Sequence, residues 1–353
     1  MNRPSPNRWL HRFAVLTALA TFCLIWVGGL VTSKGVGMAV PDWPTTYGYN
    51  MFLFPFSKWT GGIFYEHSHR LVASGVGLMT VVLAVLLWWT ESRRWVRNLG
   101  VLAVVLVIGQ GILGGLRVTA MKDELGIFHA TLAQLFFVLV AALALFTSPW
   151  WRTTDAATSS FLPRVRSFQR LVAGVTFLIL AQLVIGATMR HQHAGLAIPD
   201  FPAAYGAVWP ASDPESVARY NQARGEVTAL NPITAGQIHL QMFHRIVAGL
   251  IVGSVAALWW SARRKFPRRS SPARISAVLA GLIVLQALLG AATIWSNKAA
   301  DIATAHVAVG ALSFMTASLL ILVAGRTVPS VASVAAPSAD SILENFEAKT
   351  ASA

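Results

Sequence analysis

Acid is scarce in this chain. Its 353 residues hold 14 Asp and Glu against 28 Lys and Arg, and charged residues of both signs make up only 12%. A soluble domain carries about 25%, so an ordinary soluble fold is excluded. With 55% hydrophobic residues, disorder is excluded more firmly still. Cysteine is nearly absent. The single thiol, Cys23, lies in an apolar run, which rules out an intrachain disulfide and a cysteine-based metal site. A net charge of +14 would point to nucleic acid in a soluble protein. In so apolar a chain it points to positive cytoplasmic loops, and no nucleic-acid partner is expected.

What the chain does have is apolar length. About 20 apolar residues cross a bilayer. Eight windows of that kind are present, near 11–31, 67–89, 99–118, 127–147, 168–189, 237–260, 275–295 and 303–324. The first follows Arg3, Arg8 and Arg12, as a signal peptide would. Its apolar run is longer than a signal core and no small-x-small cleavage site follows, so it reads as a retained span. Most basic residues fall on one side: Arg3, Arg8 and Arg12, then Arg93, Arg94 and Arg97, then Arg152, Arg164, Arg166 and Arg170, then the run from Arg263 to Arg274. The positive-inside rule therefore predicts both termini in the cytoplasm. The pairs Trp88-Trp89, Trp150-Trp151 and Trp259-Trp260 close the same ends, where an aromatic belt belongs. Residues 327–353, rich in Ala, Ser, Val and Pro, read as a disordered cytoplasmic tail.

The chain also repeats itself. Residues 37–48, GMAVPDWPTTYG, return as residues 195–206, GLAIPDFPAAYG. His69-Arg70 returns as His244-Arg245, Gln110…Gly114 as Gln286…Gly290, and His129 as His306. The chain reads as two four-span halves, residues 1–150 and 165–326. An even number of spans keeps both halves in one orientation, which makes this a parallel repeat about an axis along the membrane normal. The predicted fold class is an all-α integral membrane protein of eight transmembrane helices, arranged as two parallel-repeat four-helix bundles.

Four of the nine histidines occupy matched places: His69 and His129, then His244 and His306. Each lies within one or two turns of the outer end of its span. Two imidazoles at similar depth on neighbouring helices can face each other across a flat cofactor, and imidazole is a standard axial ligand of haem iron. A lone intramembrane histidine is often a packing residue. Two symmetric pairs are harder to explain that way. Zinc wants three or four converging ligands, and each half offers two. His11, His67, His191, His193 and His239 read as non-ligands.

Arg70 and Arg245 each follow a ligand candidate. An intramembrane arginine needs an anionic partner, and a haem propionate would supply one through a bidentate fork. Snorkelling to the interface is the other reading. The halves differ at one place. Glu66 stands three residues before His69, and Gln241 three before His244. Residues so spaced share a helix face. A carboxyl beside an oxidisable substrate can move a proton or stabilise a cation, whereas an amide can only hydrogen bond. The first half is therefore expected to do chemistry and the second to hold a permanent cofactor.

Eight spans in two halves, Glu66-x-x-His69-Arg70 against Gln241-x-x-His244-Arg245, His129 and His306, and the Pro-Asp-aromatic-Pro loops resemble haem A synthase, the cytochrome oxidase assembly family called CtaA in bacteria. The resemblance covers roughly residues 10–325. It implies conversion of haem O to haem A, a porphyrin methyl group being oxidised to formyl. It implies haem b held through its iron by His244 and His306, substrate haem at His69 and His129, and Glu66 assisting oxidation. The implied setting is a bacterial inner membrane, with the haem sites towards its outer face. Expected partners are haem O synthase, an electron donor of unidentified nature and the lipid bilayer, with a homo-oligomer left open. Many bacterial members carry a cysteine pair flanking the loop. Here Val40 and Thr46 stand there, with Ile198 and Ala204 in the second half, so the chain resembles the cysteine-free branch. The competing reading is a diheme b-type electron carrier acting with quinol. A transporter with a histidine-lined proton path fits less well, because the ionisable residues cluster towards one face.

Overall fold

The computed structural model describes residues 7–154, 162–224 and 232–326. Residues 155–161, between the two proposed halves, and the tail from 327 thus lie outside the described residues. Among the described residues ten α-helices form: α1 (Arg8–Ser33), α2 (Gly61–Thr90), α3 (Arg94–Thr119), α4 (Glu124–Thr147), α5 (Pro149–Thr153), α6 (Leu162–His191), α7 (Pro214–Ala223), α8 (Ala235–Lys265), α9 (Ser271–Trp295) and α10 (Ala300–Ala324). Among the described residues there is no strand. Eight of the ten helices are long and apolar enough to cross a membrane, and each contains one of the expected windows. Polar residues cap two of them, α1 and α8. The Asn7 side chain accepts from the N–H groups of Trp9 and Leu10, and Thr234 forms a capping box with Gln237. At 30 residues, α2 measures about 45 Å, against about 30 Å of hydrocarbon. Its first turns therefore stand beyond the apolar core.

Hydroxyl groups inside the helices bond their own backbone. Thr17, Thr21, Thr80, Ser276, Thr304 and Ser313 each donate to the carbonyl four residues back. That satisfies a polar group where no water is at hand.

In sequence order α1 packs on α2, α2 on α3, α3 on α4, and α4 returns to α1; α6, α8, α9 and α10 close a second ring in the same way. The rings meet where α10 packs on α1 and α4, and α4 on α6. Half or more of the apolar stretch of α4 and α10 is buried, far more than in α3 or α9, so these two are the central helices. One apolar cluster fills each ring, around Leu83, Leu87 and Leu143 in the first and Phe168, Leu258 and Leu320 in the second. A third, of Ile25, Phe137 and Ala311, seals the seam. The Pro-Asp-aromatic-Pro loops, after α1 and after α6, lie at the same end of the bundle, hereafter the loop end.

At the opposite end a buried carboxylate ties three helices. Glu91 accepts from Arg93 at 2.8 Å and from Arg152 at 2.6 Å, and Arg93 also donates to the Phe146 carbonyl. Burial alone would raise the Glu91 pKa. The hydrogen bonds from Arg93 and the charge of Arg152 outweigh it and hold the carboxyl below its ordinary value. Glu91→Ala removes the acceptor both arginines share. The arginines keep some solvent, so the expected loss is about 2–3 kcal/mol, below that of a sealed pair, read as a lower Tm in detergent. A depressed pKa contributes stability above the unfolded-state value and loses it as pH falls through the folded-state value. The Tm gap between the two proteins should therefore hold at neutral pH and close only below 4.5.

Candidate functional site

Four glycines organise the loop end. His69 of α2 sets its ring edge 2.9 Å from the point where a Cβ on Gly28 of α1 would stand. His129 of α4 meets Gly114 of α3 in the same way at 3.3 Å, His244 of α8 meets Gly186 of α6 at 3.4 Å, and His306 of α10 meets Gly290 of α9 at 3.2 Å. In every case the imidazole enters the space that a neighbouring helix leaves by having no side chain. One turn before three of these glycines stands a glutamine. Gln110 and Gln182 donate to the carbonyls of His129 and His244, and Gln286 lies 3.4 Å from the Nε2 of His306. In α1 that place is Leu24.

The histidines form the expected pairs. His69 lies within electrostatic reach of His129, and His244 of His306. In all four the Nδ1 atom is buried with no hydrogen-bond partner. A buried polar atom left so costs about 1–3 kcal/mol. Four matched instances mark a site that a bound group completes, and imidazole pairs suit an iron porphyrin. Among the described residues no cluster of three or more His, Cys, Asp or Glu could hold a metal ion, so zinc ligation gains nothing.

The paired loops cover this end. Asp42 accepts from the N–H groups of Tyr47 and Gly48 at 2.7 and 2.8 Å and from the Thr45 hydroxyl. Asp200 accepts from Tyr205 and Gly206 at 2.7 and 2.8 Å. Both Tyr-Gly pairs have positive φ, and the carboxylate stabilises that turn. Burial works to raise the Asp42 pKa, but the bonds from Gly48, Thr45 and Tyr47 prevail and hold it low. The loop aromatics lean on helices: Trp43 packs on Gly115 of α3, and Phe201 meets Trp295 of α9, whose Nε1 donates to the Phe201 carbonyl. Val40, Thr46, Ile198 and Ala204, the four places where cysteine was considered, are all buried.

The two arginines reach into the paired loops. Arg70 donates through both Nη atoms to the carbonyls of Val40, Asp42 and Thr45 and to Glu66 Oε1 at 2.8 Å. Arg245 donates to the carbonyls of Asp200 and Ala203. The carbonyls of the tight loop converge on them, and they fasten it to α2 and α8. Glu66, 3% exposed, takes the Val40 N–H as well as Arg70. Gln241 makes a two-way bond with the Ile198 backbone and has no arginine. The Glu/Gln contrast thus places an anion in one loop anchor and a neutral amide in the other.

The second loop has a further layer. Tyr220 of α7 stacks on Tyr205 with ring centres 3.6 Å apart, and Asn221 bonds both backbone groups of Ile233. Tyr47, the counterpart of Tyr205, remains 47% exposed. Of the five other histidines, His67 is buried against Phe54 and Trp59, His11 bonds the Ala144 carbonyl, His239 bonds Ser212, His193 sits in a left-handed turn, and His191 packs on Gly126. The glycines and Gln182 escaped the sequence reading. Their signal was the spacing Gln-x-x-x-Gly, present three times, at Gln110, Gln182 and Gln286.

Known proteins share this arrangement of sequence. The chain is 28% identical over 332 residues to a heme A synthase of Geobacillus kaustophilus, covering 91% of this chain and 93% of the relative. It is 27% identical over 326 residues to heme A synthases of Brucella ovis and Brucella suis, covering 84% of this chain and 86% of each relative. Residues 11–318 match the sequence profile of the cytochrome oxidase assembly proteins, and the chain belongs to that COX15-CtaA family.

Proposed function

We propose that this protein is a haem A synthase of a bacterial inner membrane, which oxidises a methyl group of haem O to a formyl group for cytochrome oxidase assembly. The observation that carries the reading is the set of four imidazoles, each with an unpartnered ring nitrogen and each seated on a helix glycine. Family membership and the names of the relatives support it.

His69 and His129 would hold the substrate haem, and His244 and His306 a resident b-type haem. That group, when bound, supplies one-electron redox chemistry. The protein supplies orientation. Gly186 and Gly290 admit the second pair of rings, while Gln182 and Gln286 steady the turns that carry them. Glu66 is held by Arg70 and by the Val40 N–H, which keeps a negative charge on the loop anchor of the first half. Beside a carbon losing electrons, a fixed carboxylate stabilises positive charge and can take up a proton. Gln241 offers the second half neither. Turning a methyl into a formyl group removes four electrons and adds one oxygen atom; with dioxygen as oxidant and oxygen source, two successive oxygenations would need four further electrons from a donor. Haem O synthase is the source of a substrate too insoluble to diffuse through water. The matched cyclic order of the two helix rings supports a division near 150–165 into a substrate half and a cofactor half.

Two experiments test this. Co-expression with a haem O synthase in a host lacking haem A should yield haem A on extraction. His69→Ala and Glu66→Ala should abolish it, whereas His244→Ala should first remove the resident haem spectrum. Only haem B and unconverted haem O from well-folded protein with working electron donors would overturn the reading in favour of a diheme carrier. The glycine contacts make a graded prediction. Gly28→Ala presses a Cβ on His69 at 2.9 Å, whereas Gly186→Ala only touches His244 at 3.4 Å. Overpacking of about 1–3 kcal/mol at the first site should lower haem A yield roughly tenfold, and resident haem content in Gly186→Ala should stay near wild type.

A further inference from the structure

A half-buried cation cluster stands at the seam between the two rings, and nothing described so far uses it. Arg117 lies three residues past Gly114 on α3, and Arg190 four past Gly186 on α6. Residues so spaced share a helix face. Each arginine therefore stands one turn, about 5.4 Å, beyond a glycine that receives a ligand histidine, on the side that receives it. Arg190 reaches across the seam to the Gly29 carbonyl and the Ser33 hydroxyl of α1, both at 2.6 Å. Arg117 bonds Asp123 at 3.3 Å and the Gly37 carbonyl at 3.4 Å. The Nε atoms of both are buried without a partner. Lys298, in the turn between α9 and α10, is the third cation. Burial, and then the charge of Arg190, lower its pKa. His191 shares the Asp123 oxygen at 3.9 Å.

Three cations thus face one carboxylate, and Asp123 is itself 43% exposed. Among the described residues no acid pairs with Arg190 or Lys298. Buried cations in excess are costly unless a bound anion answers them. The Nη atoms of Arg70 are taken by three loop carbonyls and Glu66, and those of Arg245 meet one loop carbonyl each. Arg117 lies within electrostatic reach of His69 and His129, and Arg190 of His306.

We propose that Arg117, Arg190 and Lys298 form one anion seat shared by the two histidine pairs, in which Arg117 takes the propionates of the substrate haem and Arg190 those of the resident haem. A porphyrin carries both propionates on one edge, and arginine meets carboxylate in a bidentate fork. This rests on the haem reading above, and the test separates the two.

Full-length protein freed of haem is titrated in detergent with haem B and with haem B dimethyl ester, whose propionates carry no charge. Wild type should bind haem B more tightly, with a two-histidine spectrum. Arg190→Gln should weaken haem B at least tenfold and leave the ester within twofold. Arg245→Gln, acting through the loop, should weaken both alike, and Arg117→Gln should weaken haem B less than Arg190→Gln does. If Arg190→Gln does not fold, Arg190→Lys is read by the same loss of discrimination. Equal changes for both ligands, or none, overturn the seat while the haem reading stands; that result would leave the cluster to another anion, such as a lipid phosphate. An equal effect of Arg117→Gln overturns the assignment of one arginine to each haem. Wild type that binds no haem overturns both readings.

Discussion

A helix that gives up a side chain lets its neighbour bring an imidazole towards the bundle axis. The Gly28–His69, Gly114–His129, Gly186–His244 and Gly290–His306 contacts do this four times, and the rest of the loop end follows from them. They set how closely α1 approaches α2 and α3 approaches α4, with the same choice in the second ring. They also decide what cannot change. A methyl group at Gly28 would sit inside van der Waals distance of the ring, and packed interiors have little slack to absorb it. The apolar clusters further along each ring hold the helices together without dictating position so narrowly.

Loops rich in bent backbone expose carbonyls that a membrane-facing surface cannot leave bare. Here a single guanidinium gathers three of them in the first half, and another gathers two in the second. The carboxylates of Asp42 and Asp200 satisfy the N–H groups of the same turns. Donors and acceptors are thus met within a few residues. One departure from symmetry, Glu66 against Gln241, leaves the hydrogen bond to the residue before the proline in place, removes a charge and exchanges the bond from arginine for one to the Ile198 carbonyl. A difference that preserves geometry and alters electrostatics is the kind expected where two similar sites have different work to do.

Much of this was legible in the chain itself. Apolar length is a local property, so all eight spans could be read directly. The repeat was legible because the loop motif is eccentric enough to be noticed twice. The histidine pairs followed from their matched places. What escaped was contact between distant positions. Nothing in the run around Gly186 says that a histidine 58 positions later will lie against it. Arg70 was read from its neighbour His69, whereas its bonds go to a loop some 25 to 30 residues earlier. The grouping of Arg117 with Arg190 was not legible either, because one-dimensional reading cannot see that α3 and α6 end beside the same seam.

The stacking of Tyr220 on Tyr205 bears on time as well as on shape. To lift the second loop, α7 must first come away, and with it the pair of bonds from Asn221 to Ile233. Lifting the first loop breaks its own anchor and disturbs no second layer over Tyr47. Escape rates depend on everything that must break before the exit opens. Two loops of nearly the same plan can therefore open at different rates, the one under α7 more slowly.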